Sequence, residues 1–269
     1  MTTHDEDRTE QWRRILTGAD PALPHLRRWW KRLPSSPRCK VCAAPFHGPG
    51  ALLTRAIMHG RSGTNPLVCN LCFTGLRDEP GGAEIDLSIL FADIRGSTAL
   101  AERTSAAEFR RLLQRYYGIA GKAIEANGGI VDKYLGDGVM ALFIPVIAGE
   151  NHAMRAVQAG EELLSSVRGS DLAEAGVRVG AGVHTGTAFV GAIGSGDELD
   201  FSALGHPVNV AARLGSVAGP DELVVSRMTW EAAGRSSADA SISVRTIEIA
   251  GRASPLEVVT IGPTVPAAR

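Results

Sequence analysis

From about Glu84 to Gly262, apolar segments of strand length alternate with amphipathic segments of helix length. This alternation is the tightest constraint on what the chain can fold into. "IDLSILFAD" (85–93) predicts a buried strand. A helix is expected from about Ala106 to Ala126. Ser105 and Glu108 have capping-box spacing before it, and "NGG" ends it. Phe109, Leu112, Leu113, Tyr116, Ile119, Ala120, Ala123 and Ile124 keep helical spacing on one apolar face. "IVDKYL" and "VMALFI" read as two strands joined through "GDG", a hairpin signal. A second helix is expected from about Asn151 to Val167. "VRVGAGVHTG" and "TAFVGAIG" then read as another strand pair, and "PVNVAARLGSVA" (207–218) as a short helix opened by proline. "ELVVS" is a strand, and "SVRTIEI" with "LEVVTI" forms a terminal pair. Helices interleaved with a mixed sheet predict an α+β fold rather than a doubly wound one. No G-x-G-x-x-G follows a strand where dinucleotide binding would need it.

Two further regions precede this one, separated from it at "EPGG" (79–82). Residues 1–38 are charged and carry Trp12, Trp29, Trp30 and the basic cluster "HLRRWWKRLP". That cluster suits a helix packed on its own domain, a partner-facing helix, or contact with an anionic membrane surface. Residues 39–80 hold all four cysteines, Cys39, Cys42, Cys69 and Cys72, as "CKVC" and "CNLC". In a reducing compartment that arithmetic favours a metal module over disulfides. Four thiolates close a tetrahedral zinc site, and an iron–sulfur cluster is the rival. A redox role is disfavoured because no thioredoxin-like βαβ unit surrounds "CKVC". His47 and His59 are potential substitute ligands that read better as loop residues.

The chain is 44 % hydrophobic with a formal net charge of −1, which supplies a core but no basic field for nucleic acid. No apolar run reaches spanning length, and "MTTHDEDRTE" lacks the regions of a signal peptide. A cytoplasmic protein is expected.

Asp93 raises the chemical question. A carboxylate at the exit of a buried strand needs a cation, a donor set or solvent. It could cap the next helix. Alternatively, the "IRGST" turn could cradle an anion beside it, an arrangement suited to Mg²⁺ carrying a polyphosphate. Asp137, between Gly136 and Gly138, is an ordinary turn aspartate by itself. Two acids at neighbouring strand ends, however, could share two divalent ions.

"FADIRGST", "DKYLGDGVMALF", "VGAGVHTGTAFVGAIG" and "DFSALGHPVNVAARL" resemble, in order, the signature segments of class III nucleotidyl cyclases, within residues 84–262. The resemblance implies a ferredoxin-like, palm-type mixed sheet. It implies that Asp93 and Asp137, with the Ile94 carbonyl, bind two Mg²⁺ or Mn²⁺ ions. Backbone N–H groups of residues 94–98, including Gly96, Ser97 and Thr98, would hold the phosphates. Lys133 and Ser202 would read adenine, Ser202 standing where a threonine subgroup has its second base-reading hydroxyl. Asn209 would orient the ribose, and Arg213 would stabilise charge on the transferring phosphoryl group. Thr187 stands where many relatives carry a phosphate-contacting arginine, and Arg252 loosely matches a late basic residue that reaches the phosphates. His184 reads as structural. The implied activity is conversion of ATP to 3′,5′-cyclic AMP and pyrophosphate. Alternatives are a cyclase for another nucleotide or a catalytically retired nucleotide sensor. Relatives work as head-to-tail dimers, so a homodimer with two shared sites is expected.

Overall fold

In a computed structural model, residues 3–35, 37–57, 59–236, 242–248 and 255–262 are described. The elements in chain order begin with four helices: α1 (Thr3–Thr17), α2 (Ala22–Trp30), α3 (Pro49–Ala56) and α4 (Asn70–Asp78). Next come β1 (Gly82–Ile94), α5 (Ser97–Arg103), α6 (Ala106–Ala126), β2 (Ile130–Leu135) and β3 (Gly138–Phe143). These are followed by α7 (Pro145–Ala148), α8 (His152–Arg168), α9 (Asp171–Glu174), β4 (Val179–Ile193) and β5 (Asp200–Leu204). The chain then forms α10 (His206–Val217), β6 (Leu223–Ser226), α11 (Arg227–Ala232), β7 (Ile242–Ile247) and β8 (Leu256–Ile261).

The chain divides into two compact units, the first of residues 1–85, 145–149 and 187–204, the second of 86–144, 150–186 and 205–269. In the first, Trp30, Cys39, Cys42, Phe46, Val68, Cys69 and Phe73 share one buried core. α2 is amphipathic: Trp30 is buried while Trp29 is exposed. The basic cluster is not all surface. Arg27 is buried and donates to the Lys40 and Val41 carbonyls, and Arg38 donates to the Trp30 and Ala43 carbonyls. Such charge-assisted bonds satisfy backbone that a loop-rich segment leaves without a ladder.

The sheet runs β2-β3-β1-β4-β6-β8-β7, with β5 added beside β4, and it is mixed as expected. β1 lies near its middle, which explains the unbroken apolar run from Ile89 to Ala92. α6 forms as predicted. Ser105 caps it, its Oγ accepting from the Glu108 N–H, and its buried face is Leu112, Tyr116, Ala120, Ala123 and Ile124. The last two strands pair antiparallel, as do β2 and β3.

One expectation is corrected. "VRVGAGVHTG" and "TAFVGAIG" form a single strand, β4, not a pair. Gly186, between them, does not take positive φ and so makes no turn. The strand continues because each half has its own partner: Ala181–Val183 pair in parallel with β6, and Phe189–Ile193 antiparallel with β5. The glycines of its first half serve close packing. A Cβ on Gly182 would lie 2.1 Å from the Gly215 nitrogen of α10, so that helix rests directly on the strand.

Candidate active site

β1 and β3 are antiparallel, and their last paired residues are Asp93 and Gly138. The β2–β3 turn therefore stands at the end of β1. The Ile94 N–H donates to the Asp137 carbonyl at 3.2 Å. Asp93 and Asp137 thus sit at adjacent strand ends, and both are half-buried. Asp93 Oδ1 is buried and is paired with the Arg95 guanidinium. Asp93, Asp137 and the Ile94 carbonyl, at these adjacent strand ends, offer only hard oxygen donors. That chemistry fits Mg²⁺ or Mn²⁺.

Three residues brace this pair, and sequence reasoning missed them. Tyr116 on α6 is fully buried and donates to the Ala92 carbonyl at 3.0 Å. Its neighbour Tyr117 donates to the Gly136 carbonyl. The residue before each aspartate is thus held by one of two adjacent tyrosines. Burial pushes the Tyr116 phenol pKa well up, with the charge of Asp137 adding to the rise, so it stays a donor at neutral pH. The "YY" dipeptide was the available signal, but helical periodicity read Tyr116 only as core. Arg95 is the third. Its Nη1 donates to the carbonyls of Ser216 and Ala218, at the C-terminal end of α10 where carbonyls lack helical partners. Burial lowers its pKa and Asp137 opposes that, and an arginine so placed stays charged.

The turn after Asp93 differs in one respect from expectation. Gly96 takes φ 68° as the N-cap of α5, a left-handed conformation that glycine adopts cheaply. But the N–H groups of Ile94 and Arg95 are engaged within the fold, by the Asp137 and Arg178 carbonyls. The first-turn amides of Ser97 and Thr98 are those that helix geometry leaves without a partner.

Lys133 lies on β2 with its side chain 42 % exposed, 3.3 Å from the buried Asp132 carboxylate. Asn209 and Arg213 lie on the exposed side of α10, one turn apart. Ser202 is on β5, opposite Gly191, and is buried at 1 % exposure. Arg252 lies outside the described residues. His184 is buried, its Nδ1 2.8 Å from Ser226 Oγ. Thr187 is in β4.

The four cysteine sulfurs lie within 4.8 Å of one another, and none is in a disulfide. Cys69 caps α4, and its N–H points to Cys39 Sγ at 3.3 Å. Hydrogen bonds from Cys39, then Cys42 and Cys72, hold the Cys69 thiol far below its ordinary pKa. Cys42 and Cys72 are pushed up, chiefly by the bond each shares with Cys39. Crowded thiols that cannot all keep protons form the donor set of a thiophilic metal. His59 lies in a loop as expected, but it is buried, with Nδ1 3.3 Å from Cys69 Sγ and 3.7 Å from Cys42 Sγ.

Residues 83–260 match the family model described as the adenylate and guanylate cyclase catalytic domain. Over 135 residues the chain is 36 % identical to an adenylate cyclase of Anabaena cylindrica, spanning 48 % of this chain and 26 % of that one. The chain therefore spans only about a quarter of that curated relative. Among solved structures, it is similar to the guanylyl cyclase Cya2, with TM-score 0.60 and 29 % identity over 67 % of this chain and 93 % of that one. It is equally similar in fold to the adenylyl cyclase CyaB from P. aeruginosa, with TM-score 0.60 and 26 % identity over 69 % and 97 %.

Proposed function

This chain belongs to the adenylate and guanylate cyclase catalytic-domain family, and on that premise we propose that it is an adenylate cyclase, closing ATP to 3′,5′-cyclic AMP and releasing pyrophosphate. The observation that carries the reading is the junction of β1 with the β2–β3 turn, where Asp93 and Asp137 stand at adjacent strand ends. Asp93, Asp137 and the Ile94 carbonyl would hold two divalent ions. When bound, such ions lower the pKa of the attacking hydroxyl and neutralise the triphosphate.

In the reaction the ribose 3′-hydroxyl gives up its proton to solvent water and its oxygen bonds to the α-phosphorus. The bond from that phosphorus to the bridging oxygen breaks, and pyrophosphate leaves. Ser97 and Thr98 amides bind phosphate oxygens. Lys133 and the Ser202 hydroxyl select the base, Asn209 orients the ribose, and Arg213 offers a fixed positive charge where negative charge develops. Their exposure on β2 and α10 suits Lys133, Asn209 and Arg213 to a nucleotide held against a second copy, so the working unit is a homodimer. The cysteine cluster binds one zinc ion, and a colourless protein with about one zinc per chain is expected; a brown protein indicates an iron–sulfur cluster instead.

Product analysis with ATP, GTP, CTP and UTP, under Mg²⁺ and Mn²⁺, tests the assignment. Cyclic AMP as the dominant product supports it. A dominant cyclic GMP or pyrimidine product would establish the alternative that the shorter hydroxyl of Ser202 keeps open. No cyclic product from any nucleotide would mark a retired sensor.

A further inference from the structure

The cysteine module grips the strand that carries Ser202. Asp200 opens β5 two residues before Ser202, and three donors converge on its Oδ1. Lys40 Nζ lies 2.6 Å away, Asn65 Nδ2 2.8 Å, and the Phe201 N–H 2.8 Å. Lys40 lies inside the first C-x-x-C pair and its side chain is only 4 % exposed. Asn65 belongs to the loop leading to the second pair, and its Oδ1 accepts the Leu67 N–H. The two cysteine loops are themselves joined, since the Lys40 N–H donates to the Leu67 carbonyl. Leu199, just before β5, is buried in the same core as Cys39, Cys42 and Cys69.

A lysine buried this deeply is held by its partner's charge. A surface lysine would stay in water. Such a pair fixes geometry more than it stabilises the fold, because desolvation offsets most of its attraction. Its consequence is that β5 cannot shift without uncovering a charge.

We propose that the metal-loaded cysteine cluster is a clamp on the base-reading strand, with Lys40 and Asn65 acting as positioning residues for Ser202 through Asp200. A metal on the four sulfurs fixes both loops, and both loops fix Asp200. The proposal rests on the reading of Ser202 as a base-selecting residue. It makes metal occupancy a determinant of nucleotide selectivity, beyond folding.

The test is steady-state kinetics of the full zinc-loaded chain with ATP and GTP. Lys40→Met, Asn65→Ala and Asp200→Asn are each expected to raise KM for ATP roughly tenfold, more than they lower kcat, and to narrow the ATP-over-GTP ratio of kcat/KM. Zinc content should stay at the wild-type value, and Lys40→Arg should restore most of the ratio. A purely structural role would lower kcat for both nucleotides alike and leave the ratio unmoved, which overturns the proposal. Should Lys40→Met fail to fold, Asn65→Ala and Asp200→Asn decide by the same criterion. Wild-type protein stripped with a zinc-selective chelator in excess Mg²⁺ should show the same narrowed ratio; an unchanged ratio in stripped, folded protein overturns the metal's part. Ser202→Ala separates the two levels. If it moves the ratio and the clamp variants do not, the clamp is wrong and the base-reading assignment stands. If it leaves the ratio unmoved, the base-reading assignment fails and takes the proposal with it.

Discussion

The roles proposed for Asp93 and Asp137 depend on the residues behind them. Removing the Tyr116 hydroxyl takes one buried donor from the Ala92 carbonyl, which also lies in the β1–β3 ladder. Tyr116→Phe should therefore cost about 1–1.5 kcal/mol in urea unfolding, the net worth of one buried hydrogen bond. Tyr117 makes its own bond, to the Gly136 carbonyl, in an exposed setting, so Tyr117→Phe should cost about 0.5 kcal/mol or less. Equal costs would mean that burial does not set the strength of these braces. Gly96→Ala should destabilise by roughly 1–2 kcal/mol in the same assay, because φ 68° is left-handed backbone. A Cβ there would meet no neighbour within 4 Å, so strain and not collision is the cause. At this scale the sequence was partly legible. The apolar run ending in Asp93 and the glycines around Asp137 announced two acids at strand ends. It could not announce Tyr116, whose hydroxyl is masked by a ring that also fits the core, nor the burial of Ser202.

Elements follow the same logic of local signals and long-range partners. α6 was readable from end to end because caps and periodicity are local. β4 was misread because its continuity depends on β5 and β6, whose pairing no local pattern records. The buried network at its centre has a pH consequence. His152 Nδ1 lies 2.9 Å from Ser88 Oγ, which lies 2.7 Å from Thr185 Oγ1 on β4. Burial lowers the His152 pKa below 6.5, with Asp86 opposing the shift. The folded state then binds fewer protons than the unfolded chain between the lowered pKa and 6.5. Stability should be complete above that range and fall as pH drops through it. His152→Gln should flatten this part of the profile in urea midpoints measured across it. An undiminished slope would assign the pH dependence to other groups.

For the whole molecule, the four ordered motifs were legible as a cyclase domain because each packs chemistry-bearing residues into a short run. The grip of Lys40 and Asn65 on Asp200 was not, since it joins residues far apart in sequence through a pair that reads locally as ordinary surface charge. The proposed homodimer would put Asp93 of one copy and Arg213 of the other in one site. Asp93→Ala and Arg213→Ala proteins should each be nearly inactive, yet partly recover when mixed, because one hybrid site then carries both residues. No recovery under subunit exchange would contradict shared sites.

The central claim is that Asp93 and Asp137 together hold divalent ions against a nucleotide tail. Mn²⁺ binding in the presence of 3′-deoxy-ATP, which lacks the attacking hydroxyl, measures this without turnover. The account predicts about two Mn²⁺ per nucleotide site in the wild type, and loss of that binding in both Asp93→Ala and Asp137→Ala. Unchanged Mn²⁺ binding in either folded variant would contradict it.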